Sequence, residues 1–198
     1  MMMKLIEKHP FPAILPQHAT VMMMGTFPPT VEKRCMEFHY PNFQNDMWRI
    51  YGALFFNDPA YFCVPGEKRF DPLRIEQFLR SQGIALCSTV QSAIREQGNA
   101  ADKHLRIVEP VDLTAVLAKL PACRWIFTTG EKATDTLLSL LPNKIKMPKT
   151  NEFITFPYCA ERELFLYRLP STSRAYPLSL AKKCEAYRRF FEISGILA

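Results

Sequence analysis

Chemistry-bearing residue types gather in three short stretches of this sequence. The first, Gly25-Thr26-Phe27-Pro28-Pro29, sets a glycine ahead of two prolines. Such a loop is rigid and leaves backbone N–H groups for a ligand, although a simple tight turn has the same composition. The second, Leu169-Pro170-Ser171-Thr172-Ser173-Arg174-Ala175-Tyr176, places three hydroxyls, an arginine and an aromatic after a fixed proline. Hydroxyls, amide N–H groups and a guanidinium suit phosphate oxygens; the same residues would also cap a helix starting near Pro177. The third runs from Glu37 to Arg49, where His39, Tyr40, Phe43 and Trp48 alternate with Asn42, Gln44 and Asn45. Aromatic faces stack on a nucleobase, and amides read its edge or position a water. A loop holding two or three core aromatics has the same look. His39 is a hydrogen-bonded loop residue or a group that offsets developing charge. His9, His18 and His104 stand in no constellation, and Met22-Met23-Met24 reads as buried strand.

These stretches need elements to hold them. Four short apolar runs bounded by Gly or Pro read as buried strands: 20–24, 84–87, 125–128 and 164–169. Helical patterns lie between them, over 46–56, 71–81, 112–120, 131–141 and 178–193. Asp71-Pro72 opens the second and Gly83 stops it. Strands alternating with helices predict an α/β fold, a three-layer α/β/α sandwich around a central, mostly parallel four-stranded sheet. In such sheets ligands gather at the carboxyl ends of strands, where the first two stretches begin or end.

The chain has 198 residues, about one domain's worth, so residues 1–198 are expected to form a single domain. Hydrophobic residues at 48% and charged residues at 22% exclude a disordered chain. No run of about 18 apolar residues suits a membrane span, and Lys4, Glu7 and Lys8 interrupt any apolar leader. The six cysteines stand at least 24 residues apart with no Cys-x-x-Cys pair, so no metal site is expected and the thiols read as free in a cytoplasmic protein. Net charge is +6, and residues 142–189 carry ten Lys/Arg against four Asp/Glu. That one-sided surplus fits a polyanionic partner or a solvated basic face.

In the three stretches the sequence resembles the uracil-DNA glycosylase superfamily, especially its mismatch-specific and hypoxanthine-type branches. Gly25 to Pro29 resembles the first motif, which follows the first sheet strand. The segment His39 to Trp48, with Asn45, Met47, Trp48 and the following Arg49, is similar to the stretch written His-Pro-x-Asn-x-Phe-Trp-Lys/Arg in that superfamily. Pro170-Ser171-Thr172-Ser173 resembles the second motif, which enters the minor groove. Gly83 to Ser88 and Thr129 to Ala133 are weaker echoes, and the resemblance spans most of residues 20–190. It implies a monomeric, monofunctional hydrolase that needs no cofactor and cuts the N-glycosidic bond of a flipped-out uracil or hypoxanthine. Its partner would be double-stranded DNA holding a damaged or mispaired base.

On the same resemblance Asn45 positions the attacking water and His39 assists as a second catalytic group. Gly25, Thr26, Phe27, Tyr40, Phe43 and Ser88 hold the base. Pro170, Ser171, Thr172, Ser173, Arg174 and Tyr176 contact the DNA, with Arg174 or Tyr176 filling the vacated stack. No lysine nucleophile stands out, which favours plain hydrolysis. Three departures stand against the pattern. Phe27 sits where mismatch-specific members carry the water-orienting Asn; Pro41 lies four residues before Asn45, a longer spacing; and Ser88 replaces a frequent acid.

Two other classes compete. One is a non-catalytic DNA-binding member of the same fold, which Phe27 keeps open. The other is an unrelated small-molecule binding domain, disfavoured by the absence of Gly-x-Gly-x-x-Gly and P-loop patterns. If the basic surplus contacts DNA, duplex binding falls steeply with salt, by about a thousandfold between 50 and 200 mM for some six phosphates neutralised. A salt titration by fluorescence anisotropy that stays flat removes that electrostatic contribution.

Overall fold

The four apolar runs become the parallel core of one sheet. The computed structural model describes residues 5–96, 104–159 and 161–198. Among these the order is β1 (Glu7–Lys8), β2 (Val21–Met24), α1 (Met47–Phe56), α2 (Pro72–Gln82), β3 (Ile84–Leu86), β4 (Val90–Arg95), β5 (Leu105–Pro110), α3 (Leu113–Ala118), β6 (Trp125–Thr129), α4 (Glu131–Ser139), β7 (Phe153–Cys159), β8 (Arg162–Leu169) and α5 (Leu180–Ile193). The larger sheet has five strands in the order β3-β2-β6-β8-β7. The first four are mutually parallel, and β7 adds to β8 antiparallel. A fifth strand therefore corrects the expected count of four. Pro157 has no N–H to donate to a ladder, and β7 tolerates it because it is an edge strand.

Strand alternation assigns the helices to two faces. Val21 and Met23 of β2 pack with Phe127, Trp48, Tyr51, Phe78, Phe190 and Phe191. Their neighbours Met22 and Met24 pack with Ile126, Leu166, Leu113, Leu117 and Leu137. So α1, α2 and α5 cover one face and α3 and α4 the other, because successive side chains of a strand point to opposite sides. Burial on both faces explains the apolar runs 21–24, 84–86, 125–127 and 164–167 in the parallel strands.

The helix signals are local. Asp71 accepts the Arg74 amide at 3.1 Å, Pro72 opens the first turn, and Gly83 closes α2 in the left-handed region at φ 66°. Asp112 accepts the Ala115 amide at 3.0 Å, and Ser179 accepts that of Lys182 at 3.3 Å. The Ser179 cap sets the start of α5 two residues after the expected Leu178.

A second sheet, antiparallel in the order β1-β4-β5, was not expected. Polar Gln91, Arg106 and Glu109 break the apolar runs that marked the other strands, since much of β5 faces solvent. All six thiols are free; burial pushes those of Cys87 and Cys123 up to about 12. Among the described residues no helix is long and apolar enough to cross a membrane.

Candidate functional site

Four parallel strands deliver their carboxyl ends to one edge. Gly25, Cys87, Gly130 and Pro170 each follow such an end directly. The loops that leave them enclose a cleft of about 290 Å³. The 25–29 and 171–173 loops both line it, as do His39, Tyr40, Pro41, Asn42 and Asn45. The two loops after the first and last parallel strands thus meet across one opening.

The first loop is held by its carbonyls. The Thr89 amide and hydroxyl both donate to the Gly25 carbonyl at 2.9 Å. The Ser88 hydroxyl donates to the Thr26 carbonyl and accepts the Val90 amide at 3.1 Å. In a trans peptide the N–H opposes the C=O, so the Thr26 and Phe27 N–H groups point away from residues 88 and 89. Ser88 lines the cleft, yet its hydroxyl is committed to fixing this loop.

The second sheet braces the same loop from outside. Arg95 of β4 donates to Glu7 at 3.0 Å and to the Pro28 carbonyl at 2.5 Å, and lies 5.4 Å over the Phe27 ring. Phe27 also packs against Val90, Ala93 and Leu105. Pairing of β1 with β4 carries His9 to the cleft wall. There its ring lies 5.3 Å from His39 and edge-on to Phe27 at 5.4 Å. His9 was missed in the sequence: a lone His after a two-residue strand leaves no pattern. Phe11, Asn42 and Thr129 also line the cleft. Of these, Asn42 and Thr129 had a signal, Asn42 in the amide–aromatic alternation and Thr129 at a strand end.

Both cleft imidazoles are held neutral. Burial, aided by His39 and Arg34 and opposed by the Phe11 carbonyl, pulls His9 down to about 4. Burial lowers His39 too, against the Pro12 carbonyl that accepts from its Nε2 at 2.8 Å. Tyr40 sits at φ 52°, a strained region for an aromatic residue, worth about 1–3 kcal/mol. Its hydroxyl reaches Thr129 Oγ1 at 3.2 Å. It lies so close to Gly25 that a Cβ there would meet the phenol oxygen at 2.6 Å.

Asn45 begins the turn into α1. Its Oδ1 accepts the Met47 amide at 2.9 Å, and its main-chain carbonyl accepts from Arg49 at 3.0 Å. One Oδ1 lone pair and the amide N–H₂ remain. Next to it Asp46 is buried, and its Oδ2 accepts from Lys183 Nζ at 2.9 Å, with side chains 7% and 0% exposed. Lys183 also donates to the Ser173 carbonyl at 2.8 Å, and the Asp46 amide donates to the Thr172 carbonyl at 3.0 Å. This group ties the 39–48 segment to the 170–174 loop and to α5.

Several expected site residues lie elsewhere. Phe43 packs against Phe70 under the Arg49 guanidinium, at 5.1 and 4.5 Å, and does not line the cleft. Its alternation with polar neighbours reflected core packing. Arg174 is bound to Gln44 at 2.9 Å and Asp46 at 3.3 Å, so it holds the loop. Pro170 and Tyr176 line a neighbouring cavity of about 590 Å³ that shares Ser171 with the cleft. Ser171 and Ser173 accept the amides two residues on, so their hydroxyl protons are left for a ligand. Among the described residues no group of His, Cys, Asp or Glu is arranged to hold a metal.

The sequence matches no protein-family model and no curated protein. Its fold is similar to the solution NMR structure of a "putative uracil DNA glycosylase" from Methanosarcina acetivorans. The TM-score is 0.60 at 21% identity, over 95% of this chain and 99% of that one. The likeness is one of fold.

Removing Lys183 leaves the buried Asp46 carboxylate with only the half-exposed Arg174 as its charge partner. Lys183→Met is expected to lower unfolding free energy by about 3–5 kcal/mol, and adding Asp46→Leu to recover part of that loss, measured by urea denaturation. Losses in the two single variants that simply add in the double variant would refute the coupling. The imidazoles set a pH trend. Below about 6.5 an unfolded His9 takes a proton that the folded one refuses until about 4, so stability falls as pH drops through that window. The melting temperature is expected to be lower at pH 5 than at pH 7, and His9→Phe to narrow the difference.

Proposed function

We propose that this protein is a monofunctional DNA glycosylase that hydrolyses the N-glycosidic bond of a flipped-out deaminated base, uracil or hypoxanthine, and leaves an abasic site. One observation carries the reading: loops 25–29, 39–45 and 171–173 converge on a single cleft at the carboxyl ends of the parallel strands. The cleft's volume of about 290 Å³ suits one extruded nucleotide rather than a duplex. The basic 142–189 region and the fold likeness support DNA as the partner.

In this reading the duplex docks by backbone contacts, with hydroxyls of Ser171 and Ser173 donating to phosphate oxygens at the rim. Flipping costs a few kcal/mol, and less at a damaged or mispaired base. Tyr40 offers an aromatic face and the Thr26 and Phe27 N–H groups donate to a base carbonyl as charge moves onto the leaving base. The sugar that remains resembles an oxocarbenium ion. Such a cation needs little activation of water, so an amide suffices. The remaining lone pair of Asn45 Oδ1 accepts from the attacking water and orients it. The bond from C1′ to the base nitrogen breaks with its electron pair on the base, and water supplies the hydroxyl to C1′ and a proton to solvent.

A second reading has one observation in its favour. Phe27 is wedged between His9 and the second sheet, where the water-orienting amide of the resembled motif would stand. A non-catalytic DNA-binding protein would keep the cleft and lose the reaction.

Alkali treatment of duplexes containing one uracil or hypoxanthine separates the two, since strand breaks require an abasic site. Asn45→Ala is expected to reduce turnover by at least a hundredfold and to cost about 1 kcal/mol for the lost Met47 bond. Asn45→Asp keeps that bond, so it serves as the folded comparison. Unchanged turnover in Asn45→Ala removes this assignment.

A further inference from the structure

His9 meets the cleft in an arrangement that no motif anticipates. Its Nδ1 lies 3.0 Å from the Phe11 carbonyl oxygen and 3.2 Å from the Phe11 amide nitrogen. One residue therefore offers this nitrogen both an acceptor and a donor. With a proton on Nδ1, the ring donates to the carbonyl. With Nδ1 bare, it accepts from the amide. Each neutral form has a partner, so the protein has not fixed the proton's position. Among the described residues the other nitrogen, Nε2, has no hydrogen-bond partner, and His9 lines the cleft.

The two forms present opposite faces of the same chemistry. The Nδ1–H form leaves Nε2 as an acceptor, and the Nδ1-bare form makes Nε2–H a donor. His39 differs: its Nε2 is bonded to the Pro12 carbonyl, a pure acceptor, so its proton sits there. We propose that His9 is a tautomer-adaptable contact to the extruded base, its Nε2 donating to a ring carbonyl or accepting from a ring N–H as the base requires. This deepens the function proposed above and rests on the same cleft. It makes His9 a specificity-determining residue that widens the range of deaminated bases accepted, since a fixed donor or acceptor would reject one edge by leaving a buried group unpaired. The neighbours that face His9 keep its ring uncharged. Phe27 and Phe11 pack on it at 5.4 and 5.9 Å, while His39 and Arg34 disfavour a second positive charge.

Long-range ¹H–¹⁵N NMR of the His9 imidazole tests this directly, because the two nitrogens differ in shift when one carries the proton. The probes are duplexes with 2′-fluoro-deoxyuridine or 2′-fluoro-deoxyinosine, whose glycosidic bonds resist cleavage. Intermediate shifts are expected for both nitrogens in the free protein, with collapse to one tautomer on binding a duplex. A single tautomer that is the same free and bound overturns the inference. A parallel kinetic arm uses His9→Phe, which keeps a ring in the aromatic cluster. Its single-turnover rate is expected to fall at least tenfold on every base the native protein cleaves, with duplex Kd changing less than threefold; an unchanged rate also overturns it. The two proposals fail separately. If no duplex is cleaved but the tautomer still collapses on binding, hydrolysis is wrong and the His9 contact stands. If cleavage occurs while the tautomer stays put, the contact is wrong and hydrolysis stands.

Discussion

The bond between Asp46 and Lys183 is the constraint on which the cleft depends. Its two charges are buried, and Lys183 has Asp46 as its ion-pair partner while Asp46 has beside it only the half-exposed Arg174. Asp46 stands at the entry to α1 and Lys183 in the first turn of α5, far apart in sequence. Lys183 reaches on to the Ser173 carbonyl, and the Asp46 amide reaches the Thr172 carbonyl. The pair therefore sets the spacing between two walls that no strand pairing connects. Packing of α1 against α5 through Tyr51, Phe55 and Phe191 supplies the apolar part of that joint. The ionic part fixes its position, since a packed apolar surface slides more readily than a directed hydrogen bond.

The second sheet does a comparable task for the opposite wall. It adds little to the central core: Val90, Ala93 and Leu105 form a small cluster of their own. What it contributes is Arg95 on the Pro28 carbonyl and Phe27 ring, and His9 at the cleft. Ser88 and Thr89 hold the same loop from the β3 side. The 25–29 loop is thus fixed from two directions, and a site that must bind a base with defined hydrogen bonds gains from such rigidity.

Much of this was legible in the residues, and the rest had a physical reason to be hidden. Strands β2, β3, β6 and β8 form the parallel centre of the sheet, and each carries a run of at least three apolar residues, 21–24, 84–86, 125–127 and 164–167. Asp71-Pro72 and Gly83 announce α2 because capping and left-handed geometry are local demands. Strands β4, β5 and β7 carry Gln91, Glu109 and Pro157, which reads as loop when continuous apolar runs are the signal. For the site, the loops that line the cleft were visible through composition and place, since glycine, prolines and hydroxyls stand there at the carboxyl ends of strands; composition alone also fitted a tight turn and a helix cap. Phe43 and Arg174 lie outside the cleft lining, since an aromatic in a loop and an arginine near hydroxyls serve packing and ion pairing as readily as ligands. His9 was invisible because its position is made by long-range pairing of β1 with β4.

The contact between Gly25 and Tyr40 carries a consequence for how this chain can drift over time. The phenol occupies the space where any larger residue at 25 would place its first carbon. The two positions are coupled: a bulkier 25 displaces the Tyr40 phenol, and shrinking 40 opens a hole beside Thr129. Descendants of this sequence should trade the two residues together, and a lineage that changes one without the other has remodelled the floor of the cleft.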